Sequence, residues 1–239
     1  MPKYELHSFA SAEALAGAAA DRWLDELAQR RDVPGLYCAA LAGGRIAGSF
    51  LRAVSERARA RVVSLMDLHF FWGDERCVPP ADAESNFALA RRYFLDPLGI
   101  QPDKIHRVRG EIAPEEAAEE AQTEMCRIAP LNGAGQPMLD WIFLGMGEDG
   151  HVASLFPDAP EEVVRSQSVY LPVVASKPPP RRITINFAAI AAARQVWVLA
   201  SGAGKEDALR QSLSSNGKTP LARVLQMRKR TIIFTDVTI

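Results

Sequence analysis

Short apolar runs that alternate with helical patterns constrain the fold of this chain more than any other feature of its sequence. A strand that is covered on both faces reads as a nearly continuous apolar run, and residues 36–41 and 68–72 are such runs. Between the runs, apolar residues recur at helical spacing, and Ser11 and Pro114 are typical of positions where helices begin. The alternation predicts an α/β fold with a mainly parallel sheet and helices on both of its faces. The predicted strands are residues 4–9, 36–41, 68–72, 139–144, 183–187, 196–200 and 232–235. The predicted helices include residues 11–31, 85–94 and 205–213. We expect one domain over residues 1–239.

The charge balance and the cysteine pattern argue against several classes of protein. The chain has 239 residues, 28 of them Lys or Arg and 29 Asp or Glu, so it lacks the basic excess that is typical of a nucleic-acid or membrane-surface binder. No uncharged apolar run approaches the ~20 residues that cross a bilayer, and the N-terminal residues do not have the pattern of a secretory signal. Cys38, Cys77 and Cys126 are far apart, which favours reduced thiols in the cytoplasm over a disulfide framework. We therefore expect a cytoplasmic protein with neither a nucleic-acid nor a membrane partner.

Glycines and basic residues follow the ends of several predicted strands. Parallel sheets bind ligands at the carboxyl ends of their strands, and residues 43–45, 73–76, 145–151 and 201–205 lie at such ends. Glycine allows the backbone to approach a ligand closely, and a helix N-terminus presents free N–H groups to an anion. Together with Arg45, Arg76 and Lys205, this pattern predicts a pocket for a phosphorylated small molecule. Three of these segments also have an ordinary interpretation: a tight turn at 43–44, a surface ion cluster at 74–76, and a solvated helix residue at 205.

His151 is the residue for which a functional role is most strongly indicated. It follows two carboxylates, lies among glycines and precedes Ser154, an environment that is unusual for a core histidine. The sequence has no Gly-x-Ser-x-Gly motif, and its histidines lack the tight spacing of metal ligands. We therefore expect general acid–base chemistry centred on His151, without a metal or an organic cofactor.

Three blocks of residues resemble one enzyme family in order and in spacing. They are residues 73–79 with 85–86, residues 144–157, and residues 182–185 with 192–194 and 202–205. Over nearly its whole length the chain is similar to the 6-phosphogluconolactonases. The related glucosamine-6-phosphate deaminases share the glycine–histidine core but typically continue it with Ile-Ala-Phe-Asn-Glu-Pro, whereas this chain has Val-Ala-Ser-Leu-Phe-Pro at 152–157.

The resemblance implies a fold and a reaction. The implied fold is a Rossmann-like three-layer α/β/α sandwich of the glucosamine-6-phosphate isomerase/ribose-5-phosphate isomerase type. The implied reaction is hydrolysis of 6-phospho-D-glucono-1,5-lactone to 6-phospho-D-gluconate, the second step of the oxidative pentose phosphate pathway, by a monomer or a small homo-oligomer and without a cofactor.

Roles for individual residues follow from the resemblance and from the chemistry of ester hydrolysis. His151 would activate water and return the proton to the ring oxygen, oriented by Asp149 or Glu148, and the N–H groups of Gly147 and Gly150 would stabilise the oxyanion. The family usually has Gly-Gly-Ser-Thr-Pro where this chain has residues 43–47, so Arg45 either replaces the hydroxyl contacts to the phosphate or points to solvent. The predicted catalytic residues are His151, Asp149 and Glu148, and the predicted substrate or phosphate contacts are Gly43, Gly44, Arg45, Asp74, Arg76, Asn86, Gly147, Arg182 and Lys205.

Two other functions remain open on sequence grounds. One is an aldose–ketose isomerase or deaminase on the same fold, with Asp74 as the base that abstracts a proton. The other is a sugar-phosphate sensor that binds without turnover, although binding alone would not require His151.

Overall fold

A computed structural model describes residues 3–30 and 35–239 of the chain, and within them it gives two sheets and the helices around them. The strands are β1 (Tyr4–Ser8), β2 (Tyr37–Leu41), β3 (Leu68–Trp72), β4 (Asp74–Arg76), β5 (Trp141–Gly145), β6 (Tyr170–Val174), β7 (Arg181–Ile185), β8 (Gln195–Ala200) and β9 (Thr231–Thr235). The α-helices are α1 (Ala12–Gln29), α2 (Arg45–Arg61), α3 (Asn86–Ala90), α4 (Asp96–Leu98), α5 (Pro114–Ile128), α6 (Glu161–Arg165), α7 (Phe187–Ala192), α8 (Glu206–Leu213) and α9 (Pro220–Met227). A π-helical turn, Arg91–Leu95, joins α3 to α4, and Arg31, the last residue of the predicted first helix, lies outside the described residues.

Six parallel strands form the main sheet, in the order β1-β9-β8-β5-β2-β3. Helices flank it: α1 packs against α2, and α9 packs against both α7 and α8. The prediction of an α/β fold with a mainly parallel sheet is confirmed. From β2 the chain continues through α2 to β3 on one side, whereas β5 lies on the other side of β2. This divergence opens a crevice at the carboxyl ends of β2 and β5, the usual place for a ligand in such a sheet.

A cluster of aromatic side chains fixes the helices on the main sheet. Trp23 of α1 is fully buried, and its ring lies 4.8 Å from that of Phe143 on β5. The ring of Phe50 on α2 also packs on Phe143, with 4.9 Å between the ring centroids. Aromatic pairs of this kind add about 0.5–1.5 kcal/mol each beyond the burial of their surface. The cluster therefore holds β5, which leads into the glycine–histidine segment, firmly against α1 and α2.

A second, antiparallel sheet corrects the prediction for residues 183–187. We expected that run to belong to the main sheet, but β7 pairs instead with β4 and β6, so the small sheet has the order β4-β7-β6. Phe187 already belongs to α7, which begins after Asn186 accepts a hydrogen bond from the Ala189 N–H. An apolar run does not indicate which strand it will pair with. Its partner β4 is short and polar, and from the sequence we expected only the end of the preceding strand at residues 73–76.

Candidate active site

A cavity of about 400 Å³ opens at the carboxyl ends of β2 and β5. The small sheet forms one wall, because β4 continues from β3 after the single residue Gly73. The turns before α2 and α8 form other parts of the lining. Of the predicted site residues, the cavity brings together Gly43, Gly44, Arg45, Asp74, Arg76, Asn86, His151, Arg182 and Lys205, whereas Gly147, Glu148 and Asp149 do not line it.

The carboxylate of Asp149 orients the imidazole of His151. Its Oδ1 lies 2.5 Å from Nδ1 of His151 and 3.1 Å from the backbone nitrogen of the same residue. Burial opposes the ionisation of Asp149, but the hydrogen bonds from His151 and the attraction to its ring outweigh it and lower the pKa of the carboxyl. A carboxylate only accepts, so Nδ1 carries the proton and Nε2 keeps a lone pair that can take a proton from water. Glu148 is exposed and makes no hydrogen bond to the ring, so the structure gives the orienting position to Asp149.

The glycines of the same segment have a steric role. A Cβ at residue 147 would lie 2.0 Å from Nδ1 of His151, so only glycine leaves room for the ring there. The N–H of Gly147 donates to the His151 carbonyl at 2.9 Å, and the N–H of Gly150 donates to the Gly147 carbonyl at 3.1 Å. Both donors are already used within the turn. The expectation that they stabilise an oxyanion is therefore wrong for this structure.

Phe156 connects the histidine to a buried arginine. Its ring centroid lies 4.7 Å from that of His151 and 5.7 Å from the guanidinium carbon of Arg182. Nε of Arg182 donates to the Pro179 carbonyl at 3.0 Å, which fixes the direction of the side chain. Burial lowers the pKa of Arg182, and the positive charge of Arg76 lowers it further. We expected Arg182 to precede a strand of the main sheet, but it lies on β7 directly opposite Arg76 of β4 and reaches the cavity through the small sheet.

Asp74 joins the histidine segment to the small sheet. Its Oδ2 accepts a hydrogen bond from the Ser154 hydroxyl at 2.6 Å, and its Oδ1 accepts one from Asn86 at 3.1 Å. Asn86 fits closely because residue 43 is glycine, where a Cβ would lie 1.8 Å from the amide oxygen. Asp74 thus lines the cavity with both carboxylate oxygens already hydrogen-bonded to neutral groups.

Glu75 has a structural role beside this network. Its carboxylate accepts the N–H groups of Asn86 and Phe87 at 2.7 and 2.8 Å, and the Ser85 hydroxyl at 3.0 Å. Burial raises the pKa of this carboxyl, while the hydrogen bonds oppose the shift. Because Asp74 and Glu75 are both buried, the alternative of a surface ion cluster does not hold for them.

A second group of cations lies where two helices begin. Gly44 is the N-cap of the 17-residue helix α2, with φ of 86° and no side-chain cap, so the first N–H groups of α2 are open to an anion. Arg45 is exposed at the first position of α2, and Lys205 is the N-cap of α8. Burial lowers the pKa of Lys205, and the nearby positive charge of Arg45 lowers it further. Neither cation forms an ion pair or a side-chain hydrogen bond with residues 3–30 or 35–239.

Comparison with known proteins assigns the chain to a family. The family model described as glucosamine-6-phosphate isomerases/6-phosphogluconolactonase matches residues 10–233. The chain belongs to this family. The resemblance stated from the sequence is thereby confirmed, and the chain is an enzyme of the isomerase/lactonase family.

Similar members of the isomerase/lactonase family carry the lactonase name. A 6-phosphogluconolactonase from Streptomyces coelicolor is 34% identical over 212 residues, which are 86% of this chain and 81% of that protein. A 6-phosphogluconolactonase from Treponema pallidum is 40% identical over 172 residues, which are 71% of this chain and 69% of that protein. The solved structure of 6-phosphogluconolactonase from Trypanosoma brucei has a TM-score of 0.86 at 27% identity, covering 98% of this chain and 97% of that one.

The sequence alone did not identify some residues of this candidate active site. Ser154 lies in the predicted histidine block, but its contact with Asp74 joins residues 80 positions apart. Asp236 and Ser201 line the cavity and bond to each other. Asp236 directly follows β9, so the rule that directed attention to the other strand ends would also have found it.

The described part of the chain contains neither a candidate membrane span nor a candidate metal centre. Among residues 3–30 and 35–239, none of the helices combines the length and the apolar character that a bilayer span requires. The same residues contain no group of three or more His, Cys, Asp or Glu side chains that could hold a metal ion.

Proposed function

We propose that this chain hydrolyses 6-phospho-D-glucono-1,5-lactone to 6-phospho-D-gluconate, with His151 as the general base and acid and without a metal. The observation that carries the proposal is the Asp149–His151 pair, which leaves Nε2 of a cavity-lining imidazole as a proton acceptor beside two groups of cations. The lactonase names of relatives that match most of the chain support the same substrate.

The chemistry follows from the protonation state of His151. Nε2 takes a proton from a water molecule as its oxygen adds to the lactone carbonyl carbon, which forms a tetrahedral oxyanion. When that intermediate collapses, the bond between the carbonyl carbon and the ring oxygen breaks, and Nε2 returns the proton to the ring oxygen. Asp149 stabilises the imidazolium that exists between the two steps, as the acid of a hydrolase triad does.

The oxyanion needs donors other than Gly147 and Gly150. Ala153 lines the cavity with φ of 49°, a left-handed conformation that is uncommon for alanine, and its N–H has no hydrogen-bond acceptor in the described part of the chain. We assign this N–H to the oxyanion, with the positive charge of Arg182 nearby.

The phosphate is assigned to the cations. Lys205, Arg45 and the open N-terminus of α2 form one group, and Arg182 with Arg76 forms the other. Because Arg45 stands at the first position of α2 and has no partner among the residues that the structure describes, we propose that it replaces the hydroxyl contacts that the family usually has there. The reaction belongs to a cytoplasmic sugar-phosphate enzyme, acting as a monomer or a small homo-oligomer.

One assay separates this function from its rivals. Purified protein is tested for lactone hydrolysis, after subtraction of the spontaneous rate, and for release of ammonia from glucosamine 6-phosphate. We expect rapid hydrolysis and no ammonia. Ammonia release without hydrolysis would favour the deaminase with Asp74 as its base, and binding without either reaction would favour the sensor.

A further inference from the structure

Asp236 is a carboxylate of the cavity wall that the proposed reaction does not use. It directly follows β9 and lines the cavity together with Ser201, Gly202 and Lys205. Its Oδ2 accepts a hydrogen bond from the Ser201 hydroxyl at 2.8 Å, and its Oδ1 accepts one from the Gly202 N–H at 3.0 Å. Both oxygens therefore bind the turn between β8 and α8.

That turn carries Lys205. Gly202 and Gly204 have φ values of 101° and 83°, so the chain turns sharply before α8 through conformations that only glycine adopts readily. The start of the turn is fixed by Asp236, whereas no protein group in the described ranges binds the Lys205 ammonium. The direction of the ammonium thus depends on the backbone to which Asp236 is bonded.

Two carboxylates attract the Lys205 ammonium, and Asp236 is one of them. Arg45 on α2 repels the ammonium, while Glu148 in the segment after β5 and Asp236 after β9 attract it. Glu148 is exposed, whereas Asp236 is partly buried at the cavity, so solvent screens Asp236 less. Glu148 still contributes the larger attraction, and Asp236 adds a second counter-charge that is also hydrogen-bonded to the turn.

We propose that Asp236 is a positioning residue for phosphate recognition: it holds the 201–205 turn so that the Lys205 ammonium is presented to the phosphate of the substrate. The proposal rests on the proposed function, which assigns the phosphate to Lys205. It places the effect of Asp236 on the phosphorylated end of the substrate and not on the chemical step at the lactone.

Four variants test the proposal by kinetics on phosphorylated and unphosphorylated gluconolactone. Because a hydrogen bond to a charged group contributes about 1.5–3 kcal/mol, we expect Asp236→Ala to raise KM for the phosphorylated lactone at least about 10-fold with little change in kcat. Asp236→Asn keeps an acceptor for the Gly202 N–H, and Ser201→Ala removes one of the two bonds, so each should raise KM less than Asp236→Ala. Neither variant should alter kcat/KM for the unphosphorylated lactone. The matched control is Asp207→Asn in the first turn of α8, because Asp207 is exposed and pairs with Arg210 on the same helix.

A second measurement does not depend on turnover. Inorganic phosphate that binds the folded enzyme raises its thermal unfolding midpoint, and we expect a smaller rise in Asp236→Ala than in the wild type. If the wild type hydrolyses neither lactone, the proposed function fails, yet weaker phosphate protection in the variant still supports the role of Asp236. Wild-type KM and wild-type phosphate protection in Asp236→Ala would overturn the proposal. So would an equal loss on both lactones in an Asp236→Asn protein that unfolds at the wild-type temperature. Should Asp236→Ala not fold, the KM values of Asp236→Asn and Ser201→Ala decide in the same way.

Discussion

Two neighbouring acids, Glu148 and Asp149, differ completely in what they do to the imidazole of His151. Asp149 accepts from Nδ1 and from the backbone of His151, whereas Glu148 faces solvent. Adjacent positions in a glycine-rich turn point in different directions. The chemical type of a side chain therefore does not determine its role there.

This difference gives a paired prediction on the catalytic rate. Since Asp149 fixes the tautomer of the base, Asp149→Asn should lower kcat by at least about 10-fold, and His151→Ala should lower it about 10²–10⁴-fold. Glu148→Gln is the matched control and should retain kcat within about twofold, because it removes a neighbouring charge without touching the ring. The measurement is steady-state hydrolysis of the phosphorylated lactone, corrected for spontaneous hydrolysis. A wild-type kcat in either Asp149→Asn or His151→Ala would remove that residue from the mechanism.

The cationic side chains of the cavity, Arg182, Lys205 and Arg45, give a second prediction. Loss of one hydrogen bond to the phosphate should weaken binding about 10- to 150-fold, so Arg182→Ala and Lys205→Ala should each raise KM for the phosphorylated lactone by such a factor. Hydrolysis of unphosphorylated gluconolactone should change little. Arg45→Ala should raise KM similarly if Arg45 takes over from the missing hydroxyl groups. Equal losses on both lactones would instead assign these residues to the ester or to the fold.

Between elements, a chain of hydrogen bonds outside the cavity links β3 to α5. Lys104 donates to Nε2 of His69 at 3.2 Å, and Nδ1 of His69 lies 2.8 Å from Nε2 of His106. Nδ1 of His106 then lies 2.9 Å from Glu124 on α5. Because an ammonium only donates and a carboxylate only accepts, each histidine donates from Nδ1, and the chain is complete with both rings neutral. Burial, followed by the charge of Lys104, lowers the pKa of His69 to about 4, and burial lowers the pKa of His106.

These hydrogen-bonded histidines predict that the folded state becomes less stable in acid. A folded-state pKa below the unfolded value of about 6.5 means that the unfolded chain binds more protons, so stability is complete above pH 6.5 and falls as the pH drops towards 4. Glu5 and Glu111 have pKa values lowered to about 2 by hydrogen bonds from arginines, so the stability they contribute is present above about pH 4.5 and is lost only below it. Denaturant unfolding between pH 7 and pH 4.5 therefore excludes the contributions of Glu5 and Glu111. Buried Glu75, whose pKa is raised, contributes the opposite trend in that range, so the comparison is made between the wild type and His69→Gln. The wild type should lose more free energy of unfolding than His69→Gln as the pH falls; equal changes in the two proteins would contradict the assignment.

At the scale of the whole molecule, the described residues offer no cluster of metal ligands, and this leads to a prediction about chelation. We expect lactone hydrolysis to survive exhaustive treatment with EDTA followed by desalting. The control is addition of Mg²⁺, Mn²⁺ or Zn²⁺ to the treated enzyme. Activity that is lost with the chelator and restored by one of these ions would show that catalysis uses a metal.

The sequence predicted the main sheet well because β2, β3, β5, β8 and β9 are largely buried and read as apolar runs, whereas β1 alternates apolar and polar residues and is only partly buried. It did not predict the small sheet, since β4 consists of Asp74, Glu75 and Arg76, and β6 contains Pro172. The glycines at the strand ends predicted where the cavity lies and that Arg45, His151 and Lys205 line it. Which backbone N–H groups lack an acceptor depends on the hydrogen bonds that form within the 147–151 turn. The side-chain contacts of Ser154 and Asp236 join segments that are far apart in the sequence. Neither of these can be derived from spacing along the chain.

The division of the site between two sheets has a consequence for how enzymes of this architecture diversify. His151 and Asp149 belong to the segment after β5, whereas Arg76 and Arg182 face each other on β4 and β7, and the Ser154–Asp74 contact joins the two parts. Substitutions in β4 and β7 can therefore alter the cations while the proposed base and its orienting acid remain in place. Gene duplicates of such an enzyme have a route to new substrates in which the proposed proton-transfer residues are inherited unchanged and selection acts on the small sheet.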